Sequence, residues 1–297
     1  GWTDVCDLML STHYMGWYSG TVANSLSDAN SDNAEMAMPK AINEYGYGAN
    51  PAQHVAWGDA ANSKPSSPNS FSVPQYEEYQ AWALEQYLNQ FKNIQWPVFN
   101  LQWAMFDFAV ASRAEGGTTA LNTKGLVSRD RTVLKDAYYL YKAYWNAEQM
   151  VHICQKRWTD RGDASNAALH VYANGEKVEL YHNGTLVQTL TASNGTLNVC
   201  WDFNAVDFAD GENVFEARSY ADADDPTSSV SDSWTYTKAA SDVPVVTVSG
   251  DDAMVNSGTL AASVSPAETA QDVTWSSSDN NAATVDASGN VTVLANG

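Results

Sequence analysis

The chain has 297 residues, with 35 acidic and 15 basic side chains and a formal net charge of −20. That length is enough for two or three domains and a sizeable core. The acidity argues against nucleic acid and anionic membrane surfaces as partners, because phosphate contacts need clustered Lys and Arg.

Charged residues make up 17% of the chain and aromatic residues 11%, with 11 Trp and 15 Tyr. Aromatic rings at this density have two readings, core packing and the stacking of flat rings on sugar faces. The three cysteines, Cys6, Cys154 and Cys200, are far apart and odd in number. They imply no disulfide framework and no Cys-rich zinc site, and read as buried thiols. No apolar run is long enough to span a bilayer, and the first residues carry no signal-peptide pattern.

In chain order, residues 1–148 read as alternating strands and helices. Val5 to Leu10 is a short apolar run. A second strand runs from Met38 and ends at Glu44, and a third covers Val98 to Trp103. Between them the spacing predicts a helix, with Ser72 as N-cap, Pro74 in the first turn and Glu77 and Glu78 at the start. Tyr76, Tyr79, Ala83, Tyr87 and Phe91 recur at helical period. A last helix is expected over Lys135 to Trp145. Strands separated by helices imply parallel pairing, but three such units are too few to close an eight-unit barrel.

Residues 149–239 change character. Ala168 to Tyr172 and Lys177 to Tyr181 alternate roughly, and Asn183-Gly184 signals a hairpin. Further strands are expected over Leu197 to Trp201, Asn213 to Arg218 and Ser233 to Thr237. Together they suggest a β-sandwich. Residues 240–297 hold Ser-, Thr- and Asp-rich strands at Val243 to Val248, Asp272 to Trp275, Ala283 to Val285 and Asn290 to Val293, as in an Ig-like module. From Ala221 onward there are 11 acidic residues and one basic, Lys238, which reads as a solubility feature. The fold class is therefore multidomain, α/β followed by all-β.

Among residues able to do chemistry, Glu44 ends an apolar strand and precedes the tight Tyr45-Gly46-Tyr47-Gly48 loop. Carboxylates at the C-terminal ends of parallel strands are where such folds place function. The alternative is a solvated strand-end glutamate. Trp103 ends the third strand as a sugar platform or a core residue. Asn122 and Lys124 lie in a polar segment suited to reading hydroxyls. His13, Tyr14, Trp17 and Tyr18 follow the first strand and are candidates to line the same mouth. Asp130-Arg131 reads as an ion pair or helix cap. His54 has no partner at metal-ligand spacing, so no metal site is expected. The Gly46 to Gly48 run lacks a phosphate-loop pattern, and no Gly-x-Ser-x-Gly elbow is present.

These segments, in order, resemble glycoside hydrolase family 2, the β-galactosidase and β-glucuronidase family. The resemblance rests on Gly16-Trp17-Tyr18, Asn43-Glu44-Tyr45-Gly46 and Trp103-Ala104-Met105-Phe106-Asp107-Phe108. It continues through the run from Asn122-Thr123-Lys124-Gly125 to Asp130-Arg131, and through Lys135 to Ala143. It covers residues 1–148 and extends more weakly into the sandwich. The tail, with Trp275-Ser276-Ser277-Ser278-Asp279, resembles a bacterial Ig-like module of secreted and surface glycosidases.

The resemblance implies the last three βα units of a (β/α)8 barrel, then a β-sandwich and a truncated Ig-like domain. It makes Glu44 the nucleophile, Tyr14 and Trp103 pocket aromatics, and Asn122 and Lys124 sugar contacts; Trp17, from its place after the first strand, is expected as a further substrate contact. Thr12 stands where the family often has Asn. The family's acid/base carboxylate sits at the end of the fourth strand, in an Asn-Glu pair. The only suitable Asn-Glu pair here is Asn43-Glu44, while Asp107 and Glu115 match no acid/base position.

The expectation is therefore the C-terminal part of a retaining exo-β-galactosidase, inactive alone and secreted or displayed on a bacterial surface. Its partner would be a carbohydrate substrate; no cofactor is implied and the oligomeric state is left open. A β-glucuronidase, with Lys124 pairing a uronic acid, and a non-catalytic carbohydrate-binding protein are the alternatives.

Overall fold

The computed structural model describes residues 6–34, 38–162, 164–239, 245–250, 257–265 and 272–294. The chain divides into two compact units, Gly1–Lys238 and Ala239–Gly297.

The first unit opens with a parallel sheet of three strands, β1 (Met9–Thr12), β2 (Lys40–Tyr45) and β3 (Pro97–Gln102), in the order β1-β2-β3. Two helices make the crossovers, α1 (Ser25–Ala34) and α2 (Glu77–Phe91). The first strand lies further along the chain than the Val5 to Leu10 run suggested, and Val5 itself is outside the described residues. The end of an apolar run is a poor marker of a strand whose partners decide its register. Helix α1 was not anticipated, because Ser-Leu-Ser-Asp-Ala-Asn-Ser-Asp-Asn-Ala is polar almost throughout.

Helix α2 begins at Glu77, with Tyr76 at the N-cap position and no side-chain cap. The Ser72 cap and the Pro74 first turn are therefore corrected: both residues precede the helix, and Ser72 Oγ pairs instead with Ser70 Oγ at 3.1 Å. Buried Glu77 does part of the work of a cap elsewhere, accepting the Asp136 N–H at 2.7 Å. The rings of α2 pack as their spacing predicts, with Tyr87 stacked on Tyr45 of β2 at 3.8 Å.

After β3 comes a hairpin, β4 (Phe108–Glu115) and β5 (Thr118–Asn122), then α3 (Asp136–Trp145). Gly116 and Gly117, with φ of +58° and +77°, make its turn, since a two-residue hairpin loop of this kind needs positive φ at both positions.

The chain then forms two antiparallel sheets. One has the order β10-β7-β6, built from β6 (Val151–Ile153), β7 (Asn166–Ala173) and β10 (Cys200–Asp207). The other has the order β12-β11-β8-β9, from β8 (Lys177–His182), β9 (Thr185–Leu190), β11 (Gly211–Tyr220) and β12 (Ser229–Lys238). Asn183 and Gly184, with φ of +49° and +76°, form the turn between β8 and β9 that the sequence signalled. The expected strand at Leu197 starts later, at Cys200, because Cys200 N–H bonds to Leu197 C=O in a turn.

Leu169, Val171, Trp201 and Phe203 from one sheet and Leu180, Phe215, Ala217 and Trp234 from the other form the core of a sandwich. The first of these sheets is covered on its outer face as well. Cys154, Tyr172 and Cys200 pack there in the same core as α2 and α3.

The second unit holds the pair β13 (Val245–Ser249) and β15 (Ala261–Ser265), and the sheet β14 (Ser257–Thr259), β17 (Asn290–Val293) and β16 (Ala283–Val285) in the order β14-β17-β16. Residues 243–244 of the first expected tail strand lie outside the described residues. Residues 272–275 alternate in exposure as a strand does but form no ladder among the described residues. Across the described residues no helix is long and apolar enough to cross a membrane.

Candidate active site

Parallel pairing brings the C-terminal ends of β1, β2 and β3 to one rim, with Thr12 opposite Glu44 and Tyr45 opposite Gln102. Open α/β sheets use that rim for ligands. The residues that follow each strand, Tyr14 and Tyr18 after β1 and Trp103 after β3, converge there with Glu44. They enclose a cavity of about 380 Å³, completed by Phe108, Val110, Arg113, Asn122 and Lys124.

Glu44 is half-buried in the cavity wall, and the Tyr14 hydroxyl donates to its Oε2 at 2.9 Å. Burial, reinforced by that carboxylate, raises the Tyr14 phenol far above its usual range, so it stays a donor at any physiological pH. The loop after Glu44 depends on Gly46. A Cβ there would lie 2.2 Å from the Trp103 carbonyl oxygen, so any other residue would push the strand of Glu44 and that of Trp103 apart.

Lys124 is 1% exposed. Its Nζ donates to the Tyr18 hydroxyl at 2.9 Å and lies 4.9 Å from the Tyr18 ring centroid and 5.0 Å from that of Trp17. No carboxylate stands within ion-pair distance of it among the described residues. Burial lowers the Lys124 ammonium, with Tyr18 working against that. Burial would raise the Tyr18 phenol, but the charge and hydrogen bond of Lys124 outweigh it and bring it below the usual range. Asn122 Oδ1 accepts the Lys124 N–H at 3.0 Å, which fixes the loop carrying the lysine.

Behind the cavity wall a buried lysine ties the loop after Glu44 to the loop carrying Lys124. Lys135 Nζ donates to Ala49 C=O at 2.8 Å, Thr123 C=O at 2.9 Å and Asp107 Oδ1 at 2.9 Å. The same Asp107 oxygen accepts the Gly125 N–H at 2.8 Å. Asp107 is thus committed to structure. Burial raises its carboxyl, with Lys135 opposing. Glu115 is likewise buried and engaged, 3.0 Å from Arg113.

Five of the six expected site residues, Glu44, Tyr14, Trp103, Asn122 and Lys124, meet in one cavity. Trp17 does not line it. It is 1% exposed and packs against Tyr47 and Tyr79, because a ring on the chain leaving β1 is claimed by the helix layer. His13 is also buried, 2.8 Å from Asp28.

The sequence reading did not single out Phe108, Val110 and Arg113, which come from the β4–β5 hairpin. The adjacent Gly116-Gly117 pair was the available signal. Asp130 is neither an ion-pair partner of Arg131 nor a helix cap. It accepts from Ser128 Oγ and the Thr132 N–H, while the Arg131 guanidinium lies 4.3 Å from the Phe106 ring centroid. Cys6, read as buried, is exposed, whereas Cys154 and Cys200 are buried.

The chain is similar to known proteins over most of its length. Residues 242–297 match the bacterial Ig-like domain (group 2). A β-glucuronidase from Bacteroides fragilis is 30% identical over 215 residues, covering 69% of this chain and 28% of that protein. The crystal structure of an FMN-binding β-glucuronidase from Faecalibacterium prausnitzii L2-6 superposes with a TM-score of 0.64 at 33% identity, over 78% of this chain and 32% of that one. A Bacteroides fragilis structure assigned as a β-galactosidase gives 0.65 at 27% identity, over 78% and 33%. The chain thus spans about a third or less of the length of the relatives it matches. It is a homologue of the β-glucuronidases and β-galactosidases of glycoside hydrolase family 2, joined to a bacterial Ig-like domain.

Proposed function

We propose that this chain carries the nucleophile side of a retaining exo-β-glycosidase. The observation that carries the reading is Glu44, held by the Tyr14 hydroxyl in the wall of an aromatic-lined cavity at the C-terminal rim of a parallel sheet. In this reading β1, β2 and β3 are the last three strands of a (β/α)8 barrel. Residues 1–148, 149–239 and 240–297 are its barrel portion, sandwich and Ig-like domain. The protein is secreted or held at a bacterial surface.

A retaining glycosidase sets two carboxyl groups about 5–5.5 Å apart. Glu44 attacks the anomeric carbon as the glycosidic C–O bond breaks, and a second carboxylic acid protonates the leaving oxygen. The same group, now a carboxylate, then takes a proton from water as that water displaces Glu44. Asp107 and Glu115 are buried and engaged with Lys135 and Arg113, so we assign the acid/base role to a residue outside these 297. Trp103, 37% exposed, offers a ring face to the sugar.

Both β-galactosides and β-glucuronides suit this machinery, and Lys124 favours the second. A buried ammonium whose close polar partner is a phenol is ready for an anionic ligand, and a uronic acid carboxylate would complete the pair.

The test has two arms. The isolated 297-residue chain should hydrolyse neither nitrophenyl β-galactoside nor nitrophenyl β-glucuronide; measurable turnover by it would refute the assignment of the acid/base residue elsewhere. In a longer polypeptide that supplies the second carboxyl group, a 2-deoxy-2-fluoro glycosyl fluoride should leave a covalent adduct on the peptide containing Glu44. An adduct on another residue would overturn the nucleophile assignment.

A further inference from the structure

The outer face of the sheet β10-β7-β6 is unusual for a surface buried against helices. Register sets Cys200 beside Tyr172, Tyr172 beside His152 and Asp202 beside His170. The Cys154 N–H bonds to His170 C=O at 2.9 Å, which brings Cys154 alongside as well. Since alternate residues of a strand share a face, these side chains point together toward α2 and α3. The opposite face carries the ordinary apolar set, Ile153, Leu169, Val171, Trp201 and Phe203. Apart from Asp202, whose side chain is 45% exposed, this polar grid lies in a dry layer and requires partners for each of its groups.

At one corner of the grid Glu85 reaches in from α2. A Glu85 carboxylate oxygen, His170 Nε2 and Cys200 Sγ lie within 4.8 Å of one another. Their residues are 2%, 1% and 0% exposed. His170 Nδ1 is 2.6 Å from Asp202 Oδ1. A carboxylate in that position keeps a proton on Nδ1 and turns Nε2 inward, as the outer carboxylate of a metal-bound histidine does. Nε2 is 2.9 Å from Glu85 Oε1 but makes no hydrogen bond of good geometry. Two polar atoms this close without such a bond can serve as two ligands of one cation. Tyr172 donates to the same Glu85 oxygen at 2.6 Å and orients it. Trp57 stacks on the His170 ring at 3.8 Å and fixes its plane.

We propose that Glu85, His170 and Cys200 form a structural site for a zinc-class divalent cation, with Asp202 and Tyr172 orienting its ligands. A thiolate, an imidazole and a carboxylate are the donor set that zinc takes, with bond lengths of about 2.0–2.3 Å. Binding would displace the Cys200 thiol proton and leave a thiolate on the cation.

The site would pin α2 to β7 and β10, joining the helix layer to the sandwich. The second buried cluster of this type, Asp136, His152 and Cys154, differs in the feature that matters. There the histidine Nε2 is already hydrogen-bonded to Asp136 at 3.0 Å, and Asp136 also accepts from the Gln155 N–H and Arg157.

The site is independent of the glycosidase reading and is tested without activity. The 297-residue chain is unfolded in urea with chelator, then refolded with Zn²⁺, with Co²⁺ or with chelator alone. The expected result is one bound metal per chain, a thiolate-to-cobalt charge-transfer band in the near ultraviolet, and a thermal midpoint higher with zinc than with chelator. Cys200→Ser and, as a second variant, Glu85→Gln should lose the metal, while Cys6→Ser and Cys154→Ser should keep it. Refolded wild-type chain that binds no metal and shows no cobalt–thiolate band would overturn the proposal and leave His170 a protonated bridge between Glu85 and Asp202. So would a band that survives Cys200→Ser and is lost in Cys154→Ser.

Discussion

The cavity wall and the junction between helices and sandwich treat charge in opposite ways. At the junction, carboxylates meet ionic or imidazole partners within the fold. Glu77 and Asp136 share Arg157, Glu78 pairs with His54, and Asp136 also holds His152. In the cavity, the polar partners of Glu44 and Lys124 are tyrosine hydroxyls. A phenol can orient a charge but cannot neutralise it. Under the proposed function, the contrast separates charges that hold the fold from charges kept for a substrate. Removing the first kind should cost stability, and removing the second should cost function alone.

The sharpest test lies on the functional side. Glu44→Gln in a longer polypeptide that supplies the second carboxyl group should lower kcat by about 10⁴-fold or more, the scale seen when a covalent catalyst is removed. The thermal midpoint should stay close to that of the parent, because the amide can still accept from Tyr14. A large fall in the midpoint would show that Glu44 serves the fold and would erase the contrast.

Two lysines allow the comparison to be made within one residue type. Lys135 and Lys124 are both buried and belong to the same loop system, but Lys135 has a carboxylate and two carbonyls while Lys124 has a phenol. Lys135→Met should destabilise the chain by about 3–5 kcal/mol in urea unfolding, since it strands the Asp107 carboxylate. Lys124→Met should stay within about 1 kcal/mol of the parent, as it leaves no buried charge unpaired. In the longer polypeptide it should reduce kcat/KM by about 10²-fold on glucuronides, the worth of one charge-assisted contact, and spare galactosides. Equal destabilisation by both substitutions would break the distinction. Equal loss on both sugars would remove the case for a uronic acid.

The two regions were also unequally legible before folding. Glu44 could be read because a strand end followed by a glycine-rich turn is a local signature, and the positions after β1 and β3 follow once the strands are parallel. Trp17 was misread because an aromatic two or three residues from the rim looks the same in sequence whether it faces the cavity or the helices. The β4–β5 hairpin escaped because Phe108 to Asn122 is mostly small residues without clean alternation, and its pairing shows only in the Gly116-Gly117 turn. The junction was unreadable for a different reason. Glu77, Glu85, Asp136, His152, Arg157, His170 and Asp202 are scattered over more than a hundred positions, and no spacing rule joins them. Packing the helices on the outer face of β10-β7-β6 brings them together, and that packing also hides the simple alternation expected of β7.

The smallest expected effect concerns pH at the junction. Burial and the neighbouring Asp136 charge push Glu77 up to about 7. Burial also works against the Asp136 carboxylate, but His152, Arg157 and the Gln155 N–H overcome it and hold it well below its usual range. The two shifts act in opposite senses. Folded Glu77 binds its proton more tightly than the unfolded chain does, so its contribution is complete below about 4.5 and fades as pH rises toward 7. Folded Asp136 binds its proton less tightly, so its contribution is present above the ordinary aspartate range and fades as pH falls below about 3.8. One proton can give a slope of at most about 1.4 kcal/mol per pH unit. Urea unfolding of the 297-residue chain across pH 4.5–7 should show part of that slope, and Glu77→Gln should flatten it while leaving the acid limb in place. An unchanged slope in Glu77→Gln would mean that Arg157 neutralises both carboxylates at once, which would make the junction still more fully paired than its geometry implies.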